Sequence, residues 1–157
     1  MEKIGPEALH EVLALNNEHA EELSWLTIEK LKSMLAEAFY ARKAGSLDAF
    51  MIAFDQNADY DSPNFLWFKE KFPRFIYVDR IAVAAAARGR GLARKLYEDL
   101  FSAAHLVGHT IVCCEVNAEP PNPASDAFHE AMEFSVIGAA TLDDGAKTVR
   151  YFARQLV

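Results

Sequence analysis

The chain has 157 residues, 52% of them hydrophobic, and a formal charge of −7, which is enough apolar material for one well-packed domain and too little length for two ordinary ones. With 16 Lys and Arg against 23 Asp and Glu, nucleic acid is excluded as the main partner, because neutralising phosphates needs clustered cations. No signal-peptide core and no apolar run of about 18 residues is present, which predicts a soluble, cytoplasmic protein without a membrane contact.

In chain order, residues 6–15 read as a helix, with Pro6 in its first turn and Leu9, Val12 and Leu13 on one face; the pair Asn16-Asn17 is a candidate interruption. A second helix opens at Thr27, a favourable N-cap, and carries Leu31, Met34 and Leu35 inward. Residues 39–42 and 47–54 flank Lys43-Ala44-Gly45-Ser46 and form a predicted β-hairpin. Residues 55–74 make a long, aromatic, turn-rich segment with a short helix at 64–71. A segment of this length either carries function or covers the sheet with its aromatic side chains. Next come a strand at 75–83, a glycine-bearing turn, and a helix on which Leu92, Leu96, Leu100 and Ala104 recur at helical spacing. A strand at 110–116 follows, then a Pro-rich crossing, a helix at 125–132, and a closing hairpin of strands 135–142 and 147–155 turning at Asp143-Asp144-Gly145. Cys113 and Cys114 are adjacent on a strand, point to opposite faces and do not pair with each other. No metal site is expected.

The turn Arg88-Gly89-Arg90-Gly91-Leu92-Ala93 lies between a strand and a helix, where the helix dipole and unpaired first-turn N–H groups converge on an anion. Its dinucleotide-binding reading fails because Arg94 stands where a third small residue is required, and no Gly-Lys-Ser/Thr follows to make a P-loop. Arg88, Arg90, Arg94 and Lys95 cluster at this helix start, where cations oppose the dipole unless an anion is present. The pattern Arg-x-x-Gly-x-Ala resembles the pyrophosphate loop of the GNAT acetyltransferase superfamily. In many of its members an Asn is followed seven residues later by a Tyr and then by Gly-Phe. Here Asn122, His129, Glu133 and Phe134 reproduce that spacing, with His in place of Tyr and Glu in place of Gly. The second exchange bears on how the helix ends, since Gly is the common helix C-cap.

The resemblance implies an α/β (α+β) fold over residues 1–157, with a mixed, mostly antiparallel sheet of about six or seven strands and about four helices. The five residues before Pro6 barely supply the family's first strand. It further implies acetyl-CoA as cofactor, held by the backbone of Ile81, Ala82 and Val83, by the N–H groups of Arg88, Gly89, Arg90, Gly91, Leu92 and Ala93, and by Asn122 and Ser125 on the cofactor arm. The expected activity is N-acetylation of a primary amine, of a small molecule or of a protein. Its alternatives are a non-catalytic acyl-CoA-binding module and a nucleotide-phosphate binder of another fold with Glu115 as its ribose contact. His129, at the family's Tyr position, is the candidate general acid, because imidazole titrates near physiological pH. Asp79 is the candidate base; it reads equally as a partner of Arg80 or Arg150, Glu115 is a weaker candidate, and relay through ordered water stays open. Asp59, Tyr60, Asp61 and Trp67 in the long segment, with Tyr77 beside Asp79 on the strand face, suit a cationic acceptor by charge and aromatic surface. His10, His19, His105 and His109 match no motif. A homodimer through sheet edges or C-terminal strands is a further implication of the resemblance.

Overall fold

The structure, a computed structural model, describes residues 1–119, 121–142, 145 and 147–156. Among these residues seven strands form one mixed, mostly antiparallel sheet in the order β1-β2-β3-β4-β5-β7-β6. The strands are β1 (Glu2–Lys3), β2 (Tyr40–Ala44), β3 (Ala49–Asp55), β4 (Ile76–Val83), β5 (Ile111–Asn117), β6 (Ser135–Leu142) and β7 (Lys147–Gln155). Five helices flank it: α1 (Leu9–Glu18), α2 (Ile28–Glu37), α3 (Pro63–Lys71), α4 (Leu92–Leu106) and α5 (Pro123–Ala131). Asp143 and Asp144 of the expected closing turn, and Pro120 of the crossing, lie outside the described residues. Among the described residues no helix is long and apolar enough to cross a membrane.

Local sequence accounts for most element ends. Thr27 caps α2 by accepting from the Lys30 N–H (3.1 Å), and Asn122 caps α5 by accepting from the Ser125 N–H (3.2 Å). The first strand is only two residues long. The Asn16-Asn17 pair does not interrupt α1, which continues to Glu18. Both amides instead reach across to residues 24–26, so their hydrogen-bonding capacity is used outside the helix and does not compete with it.

The sheet separates two apolar layers. Leu96, Leu100 and Ala104 of α4 pack with Ile76, Val78, Val112 and Cys114 on one face, while Val12, Leu31, Phe65 and Phe68 pack with Phe50, Ile52, Tyr77 and Cys113 on the other. Cys113 and Cys114 are accordingly buried in different layers as free thiols. Trp67 of α3 stacks on Tyr151 (centroids 4.1 Å apart), directly over Gly138 of β6. A Cβ at Gly138 would lie 2.6 Å from the indole, so this contact requires glycine.

One irregularity shapes the molecule. The β3–β4 register passes from Ile52↔Arg80 to Ala53↔Val78, leaving Asp79 without a partner. This bulge breaks the alternation of β4, and Asp79 and Arg80, though adjacent, both project toward α1 and the long segment. Beyond it the layers exchange parity: Val78 and Ile81 serve one core and Tyr77 and Ala82 the other.

Helix α5 ends in paired bonds from the Phe134 N–H to the His129 carbonyl and from the Glu133 N–H to the Glu130 carbonyl, both 2.9 Å, with the Phe134 and His129 rings in contact. That geometry places Glu133 at φ = 67°, a left-handed conformation that costs a residue with a Cβ about 1–2 kcal/mol. Glu133→Gly is expected to stabilise the fold by about 1 kcal/mol, raising Tm by roughly 2–4 °C in thermal denaturation followed by circular dichroism.

Candidate active site

Strands β4 and β5 run parallel and pair at Ile76↔Val112 and Tyr77↔Cys113, and no further pair joins them among the described residues. From Val78 onward they part. β4 stays paired with β3 up to Val83 and β5 with β7 up to Asn117, so a wedge opens between them. A cavity of about 440 Å³ occupies this wedge. Its floor is Tyr77, Asp79, Arg80 and Ile81 of β4 and Cys114, Glu115 and Val116 of β5. Tyr97 of α4 and Asn122, Ser125 and His129 of α5 line one side; Trp25, Leu26, Tyr60 and Asp61 line the other.

The turn preceding α4 has Gly89 at φ = 81° and Gly91, the N-cap residue, at φ = 71°. Both conformations favour glycine, and nothing lies within 4 Å of a Cβ built at either position, so the turn is open on that side. None of the N–H groups of residues 89–94 donates to an acceptor among the described residues. Unpaired amides, an open surface and the N-terminus of a long helix fit a pyrophosphate. The nearby cations have found protein neighbours: Arg90 pairs with Asp48 (3.2 Å), Arg94 with Glu98 (3.7 Å), and an Arg88 amino group lies 3.5 Å from His19 Nε2.

At the floor of the wedge the Tyr77 hydroxyl donates to Glu115 Oε2 at 2.7 Å. Loss of water at this site, and then the charge of Asp79, push the Glu115 carboxyl up to about 7. Burial and the Glu115 charge also keep Tyr77 a phenol. Asp79 is differently placed. Its Oδ1 accepts from the Tyr60 hydroxyl and its Oδ2 from Arg80 Nε, both at 2.6 Å, and its side chain is 5% exposed. This is the arrangement of a structural ion pair, in which both oxygens are already committed. Arg150 takes Asp126, not Asp79, as its partner.

Residues 7–134 match the model of the acetyltransferase (GNAT) family. The chain belongs to that family. Acetyl-CoA is the family's donor. The fold is shared with the ribosomal-protein-S18-alanine N-acetyltransferase of Escherichia coli, at 18% identity and a TM-score of 0.71, covering 98% of this chain and 91% of that one. Ard1 of Thermoplasma volcanium superposes with a TM-score of 0.75 at 16% identity, covering 99% of this chain and 95% of that one. For yncA of Salmonella typhimurium, solved with its cofactor acetyl-CoA, the TM-score is 0.69 at 14% identity, with 99% and 92% covered. No curated protein sequence matches the chain.

In this GNAT chain the family's tyrosine position holds His129, 7% exposed. Its Nδ1 lies 2.7 Å from the Ser125 carbonyl, which can only accept, so Nδ1 carries the proton and Nε2 the lone pair. Burial lowers the imidazole below its ordinary pKa. At neutral pH the ring therefore presents an acceptor to the cleft. The Tyr97 hydroxyl, 3.4 Å from Nε2, holds a proton there instead, and burial keeps it on the phenol.

Most other candidates converge on the wedge; two do not. Ile81, Tyr60, Asp61, Tyr77, Asn122 and Ser125 line the cavity, and Ala82 and Val83 continue the free edge of β4. Trp67, expected at the substrate, is instead a cover over the sheet, held by its stack on Tyr151. Asp59 faces a separate cavity of about 200 Å³ beside Glu37 and Lys30, away from the floor of the wedge. Glu115 was legible only as one strand carboxylate among several, and Tyr97 only as a core position of α4. Because Glu115 titrates higher in the folded chain than in the unfolded one, its proton stabilises the fold at low pH, and that contribution is lost as pH rises toward 7. Glu115→Gln is expected to gain on the order of 2 kcal/mol relative to the unsubstituted chain between about pH 5 and pH 8, measured by urea unfolding at each pH.

Proposed function

We propose that the chain catalyses direct transfer of an acetyl group from acetyl-CoA to a primary amine. The observation that carries this reading is the Glu115 carboxyl just beyond the point where β4 and β5 part, titrating near neutrality and lining the cavity between the two strands. A base poised near the working pH is half-ionised when the incoming ammonium must lose its proton. The bound cofactor supplies the activated acetyl thioester.

Each further part has a task within that chemistry. Residues 88–93 bind the diphosphate through backbone amides, and the unpaired edge of β4 at Ile81, Ala82 and Val83 orients the pantetheine arm. Asn122 and Ser125, at the start of α5, flank that arm. Glu115 receives the ammonium proton at Oε1, the oxygen that Tyr77 leaves free. The second proton lost by the nitrogen as the C–N bond forms goes to the sulfur of the broken C–S bond, so that CoA leaves as the thiol. On the opposite side of the wedge, Tyr97 Oη holds a proton, with His129 Nε2 as its acceptor. Asp61 and the Tyr60 ring favour a cationic acceptor at the mouth. Asp79 acts indirectly, by raising Glu115 and by fixing Tyr60 and Arg80.

The expected pH profile of kcat/KM has an ascending limb near pH 7, and Glu115→Gln removes that limb while lowering kcat by roughly 10²-fold. Free CoA release with a panel of primary amines reads out the reaction, and isothermal titration with CoA reads out the cofactor site. Absence of heat on CoA addition overturns the assignment; binding without amine-dependent CoA release makes the chain an acyl-CoA-binding module.

A further inference from the structure

The segment joining α1 to α2 carries a feature that the transfer chemistry does not use. Ser24 is clamped by the buried Asn16 and Arg80, and Leu26 by the half-buried Asn17. The Ser24 carbonyl accepts from Asn16 Nδ2 (3.0 Å) and from a terminal nitrogen of Arg80 (3.2 Å). Leu26 is held on both sides of its peptide by the Asn17 amide, N–H to Oδ1 at 3.0 Å and Nδ2 to carbonyl at 3.1 Å. Arg80 is itself buried, tied to Asp79 at 2.6 Å and to Asn16 Oδ1 at 2.8 Å. Between these two fixed residues stands Trp25, a 68% exposed residue lining the wedge.

A backbone fixed on both sides has already lost its unfolded-state freedom, so the backbone part of the ordering cost of a contact has been met before any ligand arrives. An exposed indole also keeps its full apolar and π surface available. Its position on the wall of the cavity whose floor carries Glu115 puts that surface within the space open to an acceptor.

We propose that Trp25 is the specificity contact for the acceptor, selecting primary amines that carry an aromatic or branched apolar group, and that Arg80 and Asn17 are positioning residues that hold it in place. The inference rests on the acetyl-transfer reading of the same cleft, and extends it from a reaction to a substrate class. Discrimination comes from the indole face; the charge of the ammonium is handled deeper in the wedge.

The test compares 2-phenylethylamine with propylamine as acceptors. Trp25→Ala is expected to raise KM for phenylethylamine about tenfold and for propylamine less than about twofold, with kcat and the CoA affinity by calorimetry unchanged and Trp25→Phe restoring most of the loss. Asn17→Ala and Arg80→Lys are expected to raise amide hydrogen exchange at residues 24–26 about tenfold and to raise KM for phenylethylamine, with Asn17→Ala serving if Arg80→Lys does not fold. A readout independent of turnover uses a Trp67→Phe background, where Trp25 is the single indole. There, phenylethylamine shifts or quenches the emission and propylamine does not. Equal KM changes for both amines, or an emission indifferent to phenylethylamine, overturn the inference. An indole that responds to phenylethylamine in a protein that acetylates neither amine overturns the acetyl-transfer reading and supports the contact.

Discussion

The molecule depends on the extra residue in β4. At Asp79 the strand takes one residue more than its partner, and a bulge of this kind bends and twists the strand that contains it. β4 pairs with β5 only at Ile76 and Tyr77 and has left it by Val78, immediately before the bulge. The wedge, its free backbone edge and the placement of Glu115 at its floor all follow from this parting. The same irregularity turns Asp79 and Arg80 to one side, where a buried ion pair is completed by Asn16 and Tyr60. A guanidinium taken out of water needs its hydrogen bonds met, and removing a partner from such a pair costs about 3–5 kcal/mol. The bulge is thus locked by the charges that it brings together.

Electrostatics in the wedge divide by depth. Glu115 and Tyr77 form a hydrogen-bonded pair at the floor, where loss of water raises both groups and leaves the carboxyl able to change state near neutral pH. Asp79 is close by yet tied on both oxygens to Arg80 and Tyr60, so two carboxylates a few residues apart in space have separate duties, one in the scaffold and one in the cleft. Burial acts on His129 in the opposite sense, because its charged form is the protonated one. The substitution of histidine for the family's tyrosine is accompanied by a phenol from another helix, Tyr97 of α4, next to the imidazole.

Local sequence chemistry made much of this architecture readable. Apolar, β-branched and aromatic runs bounded by turn residues located most of the strands, helical spacing located α2 and α4, and the two glycines before α4 marked a turn whose φ values are indeed positive. The Glu133 exchange was readable too, as a left-handed C-cap carried by a residue with a side chain. Where reading stopped, the cause was a choice between local and distant partners. Asn16 and Asn17 look like helix breakers because their amides can turn onto the adjacent backbone, and here they bond to residues 24–26 instead. Trp67 looks like a binding-site aromatic until Gly138, 71 positions later, provides the flat surface it covers.

Sequence by itself determined which segments are strands and helices, where the glycine turn before α4 lies and which family the chain resembles, because those properties arise from neighbours within a turn or a strand of each other. Tertiary structure alone decided which carboxylate is free to accept a proton, which histidine nitrogen carries one and which aromatic side chain reaches the cleft. Those outcomes turn on burial and on pairs far apart in the chain, Tyr77 with Glu115 and Arg80 with Asn16. A residue's hydration and partners exist only once the sheet has brought such segments together.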